Sequence, residues 1–242
     1  KLYSTINVLS GIVKVDEKTF SKWVWIILDL ISTHVKPRVI HLGLRFEGSN
    51  GAHQLLSVDG TDCPTNQKFD KSFYSHKFKG KFDFFFFFLQ LFYDSTNCIF
   101  HSGSGVRYEV SLCIQTGMIC SVVGPFPCGA WPDINIYRHW LKHQLLPNEK
   151  VEADAGYRGD ETIRDPEDCT NWGEHEMKFN VRARHEHVNQ RFKNFQCLIK
   201  FRHFTSQGDT RKHKLCFDTV ATLVQVNMYC GDPLFHVQYV DY

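Results

Sequence analysis

Apolar and polar positions recur along this chain with two different periods, and the changes of period divide it into elements. From Asp16 to His34, the residues Phe20, Trp23, Ile27, Leu30 and His34 recur at spacings of three or four. That spacing predicts an amphipathic helix over 16–34, with Asp16 as its cap and Pro37 as its stop. Such a helix suits core packing or one half of a helix-turn-helix. The apolar run 55–58 predicts a short strand ending at Asp59. Over 106–114 the period falls to two, with Val106, Tyr108, Val110, Leu112 and Ile114 on one face. Gln115-Thr116-Gly117 supplies a turn and Met118 to Val123 returns, so a β-hairpin is expected. Pro125, Pro127, Gly129 and Pro132 then predict a rigid loop.

The helical period resumes after Asp133, read as a cap, with Ile134, Tyr137, Leu141 and Leu145 on one stripe before Pro147. Val151 to Asp154 predicts another short strand, 160–176 an acidic loop, and 184–199 and 213–229 two helices. Strand, hairpin, helix, strand and helix in this order argue for a mixed α/β fold with helices packed on a sheet. On the helix near 190, Val188, Phe192, Phe195 and Ile199 form the apolar stripe. At about 100° per residue, Glu186 points roughly 200° away from Val188. It shares its face with Arg182, Asn189, Gln190 and Lys193.

A chain of 242 residues can bury a sizeable core, and one domain with an appendage is expected. It begins at Lys1 rather than Met, so a fragment is expected. The net charge of +2 hides an uneven distribution. Between Lys178 and Lys214 stand ten Lys or Arg against two acids, Glu186 and Asp209, an excess of eight. Phosphate backbones bind such patches through counterion release, and a merely solvated basic face has the same composition. Nine scattered Cys without a Cys-x-x-Cys pair exclude the usual zinc and thioredoxin spacings and suit reduced thiols inside a cell. His139 and His143 flank Trp-Leu-Lys, without the Glu of a zinc protease, and read as ordinary helix residues. There is no signal-peptide pattern, and Phe82 to Phe92 is about half a membrane span and contains Asp83. Gly103-Ser104-Gly105 precedes a strand rather than a helix, unlike a phosphate-binding loop, and no Gly-x-Ser-x-Gly elbow occurs.

Three acidic residues carry the candidate chemistry. Asp59 ends an apolar run and precedes Gly60, Asp154 does the same before Ala155-Gly156, and Glu186 lies in the basic helix. Hard divalent cations favour carboxylate oxygens, and paired metals activate water and stabilise a leaving oxygen on phosphate.

Six segments, in order, resemble the DDE superfamily endonuclease domain of transposases, in the PIF/Harbinger-like group. They are Ser57-Val58-Asp59-Gly60-Thr61-Asp62, Phe73 to Gly80, Arg107-Tyr108-Glu109-Val110, Gly124 to Asp133, Glu152 to Gly159 and Arg184 to Lys193. The resemblance implies a ribonuclease H-like fold, a mixed sheet flanked by helices. It implies Asp59, Asp154 and Glu186 as catalytic ligands of two divalent cations, Mg²⁺ with Mn²⁺ able to substitute. It also implies a nuclear enzyme that cuts transposon ends and joins the freed 3′-hydroxyl to target DNA. The expected partners are DNA, a second copy in a homo-oligomer and a separate DNA-binding subunit, with no membrane. Arg182, Arg184, Asn189, Gln190 and Lys193 are the expected DNA-backbone contacts, His76 and Lys77 are further candidates, and Asp133 is expected behind the metal ligands. The alternative is an inactive, domesticated descendant that binds DNA or protein in the nucleus.

On this reading the chain divides into a truncated N-terminal helical region (1–45), a catalytic domain (46–230) and a tail (231–242). The match is interrupted by 81–105, which includes the unbroken row Phe84 to Phe88. Phe codons are pyrimidine-rich, as intron tracts are, so 81–105 reads as a retained intron translated in frame, the alternative being a real hydrophobic insertion. If translated, it is an aggregation hazard. The spacing of 32 residues from Asp154 to Glu186 is a little short for the family.

Overall fold

The computed structural model describes residues 6–48, 54–65, 71–75, 77, 103–169, 171–199, 201 and 210–237. Its helices are α1 Ile6–Val13, α2 Glu17–Leu30, α3 Lys36–Val39, α4 Asp133–His139, α5 Trp172–Lys193, α6 Gln196–Ile199 and α7 Arg211–Tyr229. Its strands are β1 Gln54–Pro64, β2 Gly105–Cys113, β3 Ile119–Pro127, β4 Lys150–Ala153 and β5 Ile163–Arg164. The strands form one sheet in the order β3-β2-β1-β4-β5. Strand β2 is antiparallel to β1 and β3, whereas β4 is parallel to β1 and to β5. The chain is thus mixed α/β, as its periodicity predicts.

Strand β2 is buried along its whole length, and its two alternating sets meet two cores. Val106, Tyr108, Val110 and Leu112 share a core with Val188 and Phe192 of α5 and Phe217 and Val220 of α7. Tyr108 stacks on Phe217 with ring centroids 3.7 Å apart. Cys113 belongs to the other core, with Leu56 and Val58 of β1, Tyr137 of α4 and Val151 of β4. Alternation and register together therefore divide the sheet residues between an α5/α7 face and an α4 face.

Several elements differ from expectation for identifiable reasons. Strand β1 does not end at Asp59. It continues to Pro64 in register with β2, because Asp62 is neutralised there by Arg107 at 2.7 and 3.0 Å and held by the Ser75 hydroxyl. Strand β3 continues through Pro125 and Pro127, since it lies at the sheet edge, where a missing N–H costs little. Asp16 does cap α2, accepting the Lys18 and Thr19 N–H groups. The predicted stripe of α2 faces outward, however, with Trp23, Ile27 and Leu30 exposed, while Trp25 and Leu28 pack on the core. Residues 23–28 are apolar all round, so their period could not select a face. Nor does Pro37 stop the helical path. A π-helical turn, Ile31–Val35, precedes it, and Pro37 occupies the first turn of α3, where no N–H is required.

Pro132, rather than Asp133, is the cap position of α4, which ends at His139 before a separate 3₁₀ turn, Leu141–Gln144. Helix α5 starts twelve residues before the predicted 184, capped by the Asn171 side chain, and the expected acidic loop contains β5. The first turns of α5 bury Glu174 and Lys178 rather than only apolar residues, so no apolar period announces them. Of the stretch 81–105, residues 81–102 lie outside the described residues, whereas Gly103 to Gly105 are built into the fold. The Gly103 and Ser104 carbonyls accept from Ser75 and Thr65, and Gly105 opens β2. Past α7, Leu234 and Val237 return into buried positions. Among the described residues, no helix is long and apolar enough to cross a membrane.

The N-terminal helices are anchored through Asp218 of α7. Its buried carboxylate accepts from Ser32 and Lys36, both at 2.6 Å, and also pairs with Lys214. Removing one partner of a buried pair leaves the other uncompensated. Asp218→Ala is therefore expected to lower stability in urea unfolding by roughly 3–5 kcal/mol. An unchanged unfolding midpoint would contradict the anchor.

Candidate active site

The register of β1 against β4 brings the two aspartates together. Val58 pairs with Ala153 in parallel, so Asp59 and Asp154 are the next residues along neighbouring strands. Such strands run about 4.8 Å apart. Ser57 pairs with Glu152, and alternation puts Ser57, Asp59, Glu152 and Asp154 on the α5 face. Asp154 leaves the sheet there and caps the turn Ala155–Tyr157, accepting the Gly156 N–H at 2.8 Å.

Helix α5 crosses this face and is tied to β1 by two hydrogen bonds. His185 Nε2 meets Ser57 Oγ at 2.9 Å, and Asn189 Nδ2 donates to Asp59 Oδ2 at 3.1 Å. Glu186 lies between these anchors and is exposed. All three carboxylates line one cavity of about 840 Å³, together with Lys77, Lys178, Arg182 and Lys193. The three acidic residues singled out from the sequence thus share one cavity.

Burial pushes the Asp59 carboxyl above its ordinary range; Lys77 opposes this, and the charges of Asp154 and Glu186 reinforce it. Lys77 Nζ donates to the Gly60 carbonyl at 2.8 Å. Burial lowers His185 to about 4, so its imidazole is neutral at physiological pH. Burial also raises Glu152, against the opposing charge of Lys178 at 3.5 Å.

On the reverse face, Asp133 sits directly behind Gly60. A Cβ on Gly60 would meet Asp133 Oδ1 at 2.1 Å, and one on Gly156 would meet Oδ2 at 3.5 Å. Glycine after Asp59 is thus a packing requirement. Arg107 bridges Asp133 at 3.2 Å and Asp62 at 2.7 Å. Burial raises Asp133 to about 6, with Arg107 opposing. Glu109, 1% exposed, stands opposite Gly60 on β2, and both its carboxyl oxygens lack a hydrogen-bond partner among the described residues. Burial, and then Asp133, push it up to about 8.

The expected DNA-backbone set divides. Arg182, Gln190 and Lys193 are exposed on the outer face of α5. Arg184 is buried, donating to the Ile114 and Phe235 carbonyls at 2.6 and 2.9 Å, and Asn189 turns inward to Asp59. Two residues from Glu186 is about 200° around a helix, so Arg184 belongs to the inner side. His76 lies outside the described residues. The Ser57–His185 and Glu152–Lys178 pairs are not among the sequence-based expectations, although two-residue alternation around Asp59 and Asp154 puts Ser57 and Glu152 on the same face as the aspartates.

Among the described residues, no three His, Cys, Asp or Glu side chains are gathered closely enough to hold a metal ion as they stand. The donor chemistry, three carboxylates on one cavity with the charges of two of them adding to the cost of ionising Asp59, is nevertheless of the kind a hard cation relieves. No protein-family model, curated protein or solved structure matches the chain.

Glu109 gives this region a pH signature. Its folded-state carboxyl is raised, so its contribution is complete below the unfolded carboxyl range and is lost as pH rises through about 8. Urea midpoints measured from acid to alkaline pH should fall for the native chain and stay flatter for Glu109→Gln, with the variant ahead at the alkaline end. Parallel profiles would contradict this.

Proposed function

We propose that the chain is a metal-dependent DNA endonuclease and strand transferase of the DDE type, cutting at transposon ends and joining a 3′-hydroxyl to target DNA. One observation carries the reading: Asp59, Asp154 and Glu186, remote in sequence, line one cavity with Lys77, Arg182 and Lys193. The strand order β3-β2-β1-β4-β5, with β2 alone running against the others, supports a ribonuclease H-like reading of the fold.

In this proposal the three carboxylates hold divalent cations, Mg²⁺ or Mn²⁺, whose chemistry is to activate the attacking oxygen and to neutralise the leaving one. The chain's own residues do the rest. Asn189 holds the Asp59 carboxylate in one orientation. Lys77 partly offsets the crowded negative charge. Arg182 and Lys193 hold DNA phosphates beside the carboxylates without reading sequence. Neutral His185 fixes α5 to β1 and so sets the position of Glu186. Handling two DNA ends at once fits a homo-oligomer working in the nucleus, with a separate subunit to select the ends.

A second reading, an inactive descendant that binds DNA or protein, is favoured by the lack of a closed metal-holding group among the described residues. Cleavage of the element's own terminal DNA in Mg²⁺ or Mn²⁺ separates the two. The proposal expects metal-dependent cleavage that falls roughly 1,000-fold or more in Asp154→Asn. The assay includes a form lacking 81–102, a deletion that spares the residues built into β2. Cleavage that survives Asp154→Asn would contradict the proposal. DNA binding without cleavage by either folded form would establish the second reading.

A further inference from the structure

The outer face of α5 carries aromatic rings as well as charge. At about 100° per residue, Trp172, His175, Phe179, Arg182 and Lys193 all lie within about 40° of Glu186. At about 1.5 Å per residue, Phe179 stands roughly 10 Å and Trp172 roughly 21 Å from Glu186 along the axis, on the side opposite Lys193. Trp172 is 79% exposed and Phe179 67%. Packing does not account for them, since the inner side of these turns is occupied by Glu174, Met177, Lys178 and Val181. Trp172 and His175 are stacked, with ring centroids 5.8 Å apart and an interplanar angle of 18°. His175 and Phe179 line the same cavity as the three carboxylates.

We propose that this face is a stacking platform for the unpaired bases of a single DNA strand. The backbone passes Arg182 and Lys193, and bases lie on Phe179 and on the Trp172–His175 stack. This rests on the nuclease reading and adds the state of its substrate, a frayed or single-stranded end rather than intact duplex. Charge complementarity selects the occupant. Rings and cations share one helix face, as in grooves that follow a nucleic-acid strand, where bases stack on aromatic rings whatever their sequence. A protein helix would need a continuous aliphatic stripe, which Arg182, Glu186 and Lys193 interrupt. Inside a duplex the base faces are covered by their neighbours, so the rings offer duplex DNA nothing comparable.

The test measures binding of the full chain to fluorescent DNA in metal-free buffer. The probes are an oligothymidylate, a blunt duplex and the same duplex with an unpaired end. The single strand and the unpaired end should bind more tightly than the blunt duplex. Phe179→Ala and Trp172→Ala should each weaken single-strand binding by about 10-fold while leaving duplex affinity unchanged. Phe179→Trp should retain the preference. Both positions are exposed, so unfolding midpoints should not move. A single-strand to duplex ratio unchanged in the doubly substituted chain, an equal loss on every probe, or a native preference for duplex would each overturn the platform. Because binding is read without metal, the platform and the nuclease reading fail separately. Cleavage with no base preference sinks the platform alone, and a base preference with no metal-dependent cleavage sinks the nuclease alone.

Discussion

The candidate site depends on how α5 lies across β1. Two hydrogen bonds, His185 to Ser57 and Asn189 to Asp59, fix that crossing on either side of Glu186. The core contacts of Val188 and Phe192 hold the helix on the sheet, and these two bonds add direct polar ties to β1, the strand that carries Asp59. The first bond requires a buried imidazole, and burial keeps it neutral. Towards the start of the helix, Lys178 pairs with Glu152 of β4 and Glu174 with Arg164 of β5. Buried pairs of this kind contribute little net stability, because desolvation offsets their attraction. Here each side chain has a partner on a different strand, which suits a role in fixing position.

The opposite face is built under the same constraint. Asp62, Arg107 and Asp133 form a chain of opposite charges behind the strand residues that follow Asp59. Gly60 exists where Asp133 leaves no room for a Cβ, and Gly156 lies close to the same carboxylate. Asp59 and Glu109 in the sheet and Asp133 of α4 packed behind it are all raised by burial, so carboxyl groups that resist ionisation gather here. Concentrated unfavourable charge beside a cavity is more usual at functional sites than in structural cores, although structural ion networks also perturb titration.

The parts of this arrangement legible in the sequence were those with a strong local signal. Each aspartate ends or interrupts an apolar run before a glycine, and Glu186 lies on the polar side of a clear apolar stripe. The hairpin was equally plain, because 106–114 alternate and a turn at Gln115-Thr116-Gly117 precedes the returning strand, with Gly117 at a φ of +75°. What was not legible depended on contacts distant in sequence. The face of α2 was ambiguous because 23–28 are apolar all round. The start of α5 was hidden because Glu174 and Lys178 are buried as ion pairs. The end of β1 was misplaced because Asp62 is polar by sequence and buried only through Arg107 of β2. Arg184 was assigned to the DNA face, although helical geometry puts it with Val188.

The central claim is that Asp59, Asp154 and Glu186 act as one cation-binding group despite coming from β1, the end of β4 and α5. Titration of the folded chain with Mn²⁺, followed by electron paramagnetic resonance of the free ion, tests it without reference to DNA. The account predicts saturable binding at neutral pH, with about two ions per chain as in paired-metal sites. It also predicts strong weakening when any one of the three is changed to its amide. Absence of saturable binding in the folded native chain, or binding indifferent to all three substitutions, would contradict it.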